Sequence, residues 1–119
     1  VGYVFPIGGP GFWGPIRGYL ALDSEFKRIL GIRFVRHTET PGLGGRIAEE
    51  WFQKQFVGKP IVPPAQGGPA IRLVPQGKAK GPRDVDAITG ATGTSRAVER
   101  FLNQNLDSIR KAMHSGGAE

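Results

Sequence analysis

Two stretches near the start of the chain carry the spacing of strands. Residues 16 to 23, IRGYLALD, suit one strand, Asp23, Ser24 and Glu25 supply turn residues, and KRILGIRFVRHTE from Lys27 onward sets apolar side chains at Ile32, Phe34 and Val35. Together they predict a β-hairpin. The adjacent pair Phe34-Val35 breaks strict alternation, which implies burial on both faces or a bulge. An apolar opening, VGYVFPI, predicts a further strand that runs into a Gly/Pro loop with Phe12 and Trp13 at its tip. Farther on, Ile47, Trp51 and Phe52 fall on one face at helical spacing and predict a short amphipathic helix over residues 46 to 55. The longest periodic run is Val98, Phe101, Leu102, Leu106, Ile109 and Met113, at intervals of three or four, which predicts a long C-terminal helix. Residues 114 to 119 read as its frayed tail.

Between these elements the chain is rich in breakers. Glu39-Thr40-Pro41-Gly42-Leu43-Gly44-Gly45 is neither helix nor central strand, because Pro41 removes a donor and the glycines invite positive φ. PIVPPAQGGP is a Pro/Gly connection, Ala70 to Val74 a short strand, Lys78 to Pro82 a basic turn and Asp84 to Ile88 a brief extended piece. The expected fold class is α+β: a small antiparallel sheet packed with a short helix and a long C-terminal helix, one domain over residues 1–119.

Composition narrows the chemistry. A chain of 119 residues with 39% hydrophobic and 22% charged residues is an ordinary folded domain. No apolar run reaches the roughly eighteen residues a membrane span needs. The chain begins at Val1 without Met, and it is expected to be a piece that lacks an N-terminal membrane anchor. Zero Cys excludes disulfides, thiolate metal sites and iron–sulfur ligation, so redox chemistry here requires an organic cofactor. His37 and His114 have no neighbours at metal-ligand spacing, and no metal site is expected. A net charge of +6 favours an anionic ligand or surface, but scattered Lys and Arg make a weak footprint for nucleic acid, and none is expected as a partner.

The candidate chemistry lies where the extended piece meets the long helix, at Asp86-Ala87-Ile88-Thr89-Gly90-Ala91-Thr92-Gly93-Thr94-Ser95. The first N–H groups of a helix have no internal acceptor and carry partial positive charge, and small residues let a phosphate approach them. Ser and Thr are also ordinary helix caps, so on these grounds the cluster reads equally as a cap and as a phosphate site.

Thr89-Gly90-Ala91-Thr92, with Asp86 three residues before it, resembles the flavinylation motif of the FMN-binding domain family, which includes the C subunit of the sodium-pumping NADH:quinone reductase and the G subunit of the Rnf complex. A match of this strength arises by chance on the order of once in a few hundred such chains. A second match lies far away: His37 to Gly44 is similar to the His-x-Glu-Thr-Pro-Gly-Leu-Gly loop of the same subunits, and Gly11-Phe12-Trp13-Gly14 to their Gly-Trp-Gly segment. The resemblance implies FMN esterified through its phosphate to Thr92 by a separate flavin transferase that reads Asp86. It implies cofactor contacts from Thr89, Gly90, Ala91, Gly93, Thr94, Glu39, Thr40, Gly42, Leu43, Gly44 and Trp13, with Leu43 able to pack on the ring. No residue is assigned a catalytic role.

The implied function is a tethered electron carrier rather than a complete enzyme, part of a membrane ion-translocating NADH:quinone or ferredoxin:NAD oxidoreductase. Its partners are then the other subunits and the transferase, and its place the extracytoplasmic (periplasmic) face of the bacterial inner membrane. Two alternatives stand beside it. A free-standing FMN-dependent reductase would turn over a small substrate alone, and a flavin-free anion-binding module would show salt-sensitive binding to polynucleotide.

Overall fold

A computed structural model describes residues 2–117, with side chains through Met113. Three antiparallel strands come first: β1 (Gly2–Pro10), β2 (Pro15–Asp23) and β3 (Ile29–Arg36), in the order β1-β2-β3. The β1–β2 register is continuous, from Gly2 opposite Asp23 to Pro10 opposite Pro15, so the first strand runs well into the expected Gly/Pro loop. Between β2 and β3 the register slips twice. Arg17 faces Arg36 while Gly18 faces Phe34, and Ala21 faces Gly31 while Leu22 faces Ile29. Val35 and Leu30 are thereby bulged out, and both are exposed. The Phe34-Val35 irregularity is therefore a bulge and not burial on both faces: Phe34 stays in the core and Val35 is 57% exposed.

The expected helix over residues 46 to 55 is a broken series. A 3-10 helix over Gly44–Ala48 is followed by α1 (Glu50–Gln53) and a second 3-10 turn over Lys54–Phe56. Glu49 has extended ψ (149°), which interrupts helical bonding and resets the phase. That reset lets Ile47, Phe52 and Phe56 all enter the core, while Trp51 stays at its edge. The next two extended pieces, β4 (Arg72–Val74) and β5 (Asp84–Asp86), pair in parallel, an arrangement the separate strand signals did not contain. The chain closes with α2 (Thr92–Gly117). Helical backbone runs through residues 114–117 of the expected tail, as propagation adds one bond per residue to a helix already formed. Residues 118–119 lie outside the described residues.

One face of α2, with Val98, Phe101, Leu102 and Leu106, packs on the inner face of the sheet, where Ile7, Ile16, Leu20, Leu22, Ile32 and Phe34 converge. Gly9 permits the close approach, since a methyl there would run into Phe101. Phe34, Phe52 and Phe56 form a chain of tilted and edge-on rings with centroids 6.3 and 5.4 Å apart. Among the described residues no helix is long and apolar enough to cross a membrane.

Phe52 is fully buried between two of these rings. Phe52→Ala is expected to lower unfolding free energy by about 3–5 kcal/mol, and Val57→Ala, at an exposed position, by less than about 0.5 kcal/mol. Urea denaturation followed by circular dichroism measures both.

Candidate functional site

Three loops distant in sequence meet at the start of α2, and the carboxylate of Glu39 joins them. Glu39 is 3% exposed. Its Oε1 accepts hydrogen bonds from Phe12 N at 3.0 Å and from the Thr94 hydroxyl at 2.6 Å, and its Oε2 accepts from Trp13 N at 3.0 Å. Burial alone would raise its pKa, but the Thr94 hydroxyl, the N–H groups of Trp13 and Phe12 and the nearby His37 outweigh that effect and hold it below its ordinary value. His37 Nδ1 in turn accepts from Glu39 N at 3.1 Å. The histidine thus fixes the backbone that carries the carboxylate.

Packing tightens the same junction. A methyl at Gly93 would strike the Phe12 ring, and one at Gly44 would strike the Thr94 hydroxyl. The Thr40 carbonyl accepts from Leu43 N at 3.0 Å and Gly45 N at 2.9 Å, closing a turn in which Gly42 has φ 78°. Leu43 is 45% exposed and lies beside Gly90.

Next to this junction is a cavity of about 310 Å³, near the lower limit for small-molecule sites. Leu73, Val74 and Ile88 give it apolar walls, and Gln76, Thr92 and Arg96 are among its polar groups. Thr92 is exposed at its lining. The neighbouring hydroxyls are engaged: Thr89 Oγ1 donates to Gln76 Oε1 at 2.6 Å, Ser95 Oγ accepts from Ile88 N at 3.2 Å, and Thr94 is bound to Glu39. Ala91 N closes a turn on the Ile88 carbonyl at 3.0 Å, with Gly90 at φ 81°. Helical bonding begins with Ser95 N to the Ala91 carbonyl, so the N–H groups of Thr92, Gly93 and Thr94 precede any helical acceptor. The first turn of α2 contains no acidic residue of its own, although the Glu39 carboxylate bonds Thr94 there, and Arg96 and Glu99 bring one charge of each sign to the cavity lining.

These features fit a phosphate-bearing ligand: N–H groups ahead of the first helical acceptor, the Arg96 cation, an exposed and unengaged Thr92 hydroxyl and an adjoining partly apolar cavity. Among the described residues no group of His, Asp and Glu could hold a metal.

The sequence-derived site residues divide into two groups. Thr89, Gly90 and Thr92 line the cavity. Glu39, Thr40, Gly42, Leu43, Gly44, Gly93, Thr94 and the backbone of Trp13 form or flank the adjoining loop junction, and Ala91 is buried beneath the turn. The Trp13 side chain is 66% exposed and meets Phe12 edge-on at 5.2 Å. Trp51 is occupied elsewhere, under Arg46 and bonded to Glu49 at 2.6 Å. Asp86 Oδ1 accepts from Gly77 N at 2.9 Å and Ala79 N at 3.0 Å. Gln76, Arg96, Leu73 and Val74 are cavity residues that no motif marked; only the basic charge of Arg96 beside the helix start was a usable signal.

The fold is that of a flavin-binding module. Residues 11–107 match the model of the FMN-binding domain, and the chain belongs to that family. It is 40% identical over 101 residues to the C subunit of the Na(+)-translocating NADH-quinone reductase of Yersinia pestis, covering 84% of this chain and 38% of that protein. The corresponding C subunit from Pseudomonas aeruginosa is 36% identical over 105 residues, with 84% and 40% covered. Among solved structures, the C subunit of the Parabacteroides distasonis reductase superposes with a TM-score of 0.77 at 36% identity over 88% of this chain and 53% of that one. NqrC of Shewanella oneidensis gives 0.78 at 33% identity over 93% and 55%. The chain thus spans about two-fifths of the length of the Yersinia and Pseudomonas relatives.

Acid should loosen the loop junction. A carboxyl held below its ordinary value stabilises the fold above that value, 4.5 for Glu39, and the contribution is lost as pH falls through its lower folded value. Glu39→Gln places an amide donor among donors; it is expected to cost about 1–3 kcal/mol at neutral pH and to flatten the decline in melting temperature just below pH 4.5. Asp84, held down to about 2 by the Gly81 N–H, Arg72 and the Lys80 N–H, contributes fully above its ordinary value of 3.8 and should lose that contribution progressively as pH falls from there through about 2. Thermal melts across pH 2 to 7 on both proteins test this.

Proposed function

We propose that Thr92 is the attachment point of FMN through a phosphoester, and that the domain is a tethered electron carrier of a membrane ion-translocating oxidoreductase complex. The observation that carries this reading is the state of the Thr92 hydroxyl. It is exposed beside the cavity at the start of α2, whereas Thr89, Thr94 and Ser95 around it are engaged.

The N–H groups at the start of α2 and the Arg96 side chain would meet the phosphate charge, and Leu73, Val74 and Ile88 offer apolar wall beside it. When bound, the flavin supplies the redox chemistry, and the protein supplies its position and surroundings. A tether through the phosphate raises the effective concentration of the cofactor at its site and prevents its loss between transfers. FMN itself has no good leaving group on phosphorus, so the donor is a flavin dinucleotide. The Thr92 Oγ–P bond forms as the phosphoanhydride breaks, the nucleotide leaves, and the hydroxyl proton passes to a base on the transferase.

The likeness to subunits of the Na(+)-translocating NADH-quinone reductase supports a place in that complex or in the related Rnf complex, with their other subunits as electron donor and acceptor. We extend the proposal to the extracytoplasmic face of the inner membrane, on the family resemblance alone.

Incubation with a bacterial flavin transferase and flavin dinucleotide is expected to raise the intact mass by FMN less one water, with the adduct on the peptide containing Thr92. Thr92→Ser should keep the adduct and Thr92→Ala should lose it with an unchanged far-UV spectrum. Equal flavin content in Thr92→Ala would overturn the assignment.

A further inference from the structure

Asp86 is the residue through which the family resemblance has a transferase read the motif, yet its side chain is engaged by a neighbouring surface turn of its own chain. Its Oδ1 accepts the N–H groups of Gly77 and Ala79, and its own backbone N and O are bracketed by the Gln55 side chain at 2.8 and 3.2 Å. The Lys78 N to Pro75 carbonyl bond at 2.9 Å closes the turn that Asp86 anchors, with Gly77 at φ 87°. That turn carries Gln76. From it Gln76 Oε1 accepts both the Thr89 N–H at 3.2 Å and the Thr89 hydroxyl at 2.6 Å. Thr89 then leads through left-handed Gly90 and the Ile88–Ala91 turn to Thr92.

We infer that Gln76 is a positioning residue for the attachment loop, and that Asp86 acts on Thr92 through it, by anchoring the turn from Pro75 to Ala79. The inference rests on Thr92 as the flavin attachment point. It gives a residue outside the motif a defined part in flavinylation. It also explains the first motif position: Thr89 needs a hydroxyl because Gln76 accepts its proton, a demand that Ser meets equally. Because the link uses hydrogen-bond acceptance at Oδ1 and not charge, an Asn at position 86 can replace Asp.

The test follows two readouts in the full chain and in Asp86→Asn, Asp86→Ala and Gln76→Ala: the rate of mass gain with transferase and flavin dinucleotide, and amide hydrogen exchange at Gly77, Ala79 and Thr89 by NMR. Asp86→Ala is expected to speed exchange at Gly77 and Ala79 and to slow flavin incorporation, each by roughly tenfold, the order of one lost hydrogen bond. Asp86→Asn should keep both within about threefold of the starting protein. Gln76→Ala should leave Gly77 and Ala79 protected, release Thr89 and slow incorporation by about tenfold. Asp86→Asn as deficient as Asp86→Ala with both turn amides still protected would mean that the transferase reads the charge directly, and would overturn the inference. So would incorporation at the full rate in Gln76→Ala, or unchanged turn exchange in Asp86→Ala. Absence of any adduct on the unsubstituted chain would instead overturn the attachment at Thr92, while the exchange series still decides whether Asp86 and Gln76 hold the loop.

Discussion

An ionised carboxylate excluded from water has to find donors, and Glu39 finds three on segments 26, 27 and 55 residues away. Removing any partner would leave a buried charge undersatisfied, so the three bonds stand or fall together. The consequence is geometric. The tip of the β1–β2 hairpin is drawn onto the first turn of α2, Phe12 covers Gly93, and Thr94 is turned inward. With Thr94 inward, helical periodicity leaves Thr92 on a different side, toward the cavity.

The same device recurs along α2 in neutral form. Asn105 brackets Gly8, accepting from its N–H and donating to its carbonyl, and Asn103 does the same for Ile71. Gln55 brackets Asp86. In each case a side-chain amide supplies the donor and acceptor that a neighbouring strand would otherwise provide. The irregular stretch that carries β4 and β5 is thereby fastened to the helix and to the region around α1. Its parallel pair is only three residues long in each strand and has few ladder bonds of its own.

Structure and chemistry are thus divided between adjacent residues. Around the start of α2 every polar side chain but a few is spent on holding the loops, and the unspent ones are Thr92, with its neighbouring N–H groups, and Arg96. A site built in this way holds its loops by hydrogen bonds and leaves the Thr92 hydroxyl open beside the cavity, an arrangement that suits the proposed attachment.

The sequence by itself determined two of the three sheet strands and the long helix: β2, β3 apart from its bulges, and the Val98-to-Leu106 face of α2 follow from the spacing of apolar residues. It also marked the Thr89-to-Ser95 cluster and the Glu39-to-Gly44 loop, since small residues, Pro and Gly punctuate the chain there, while Thr92 itself was singled out by the family resemblance. The tertiary structure alone decided the rest. The helix over residues 46 to 55 broke because Glu49 turned extended, which periodicity could not register when Ile47, Phe52 and Phe56 all still reached the core. The parallel pairing of β4 and β5 depends on a connection whose path is set by Asp84 and Asp86 gripping its backbone. Gln76 and Gln55 had no local signal, because an amide side chain reads as surface until its partner, 13 or 31 residues away, is brought beside it. Glu39 could be found in sequence as part of a loop; that it is the buried charge joining three loops could be decided only when the chain had folded.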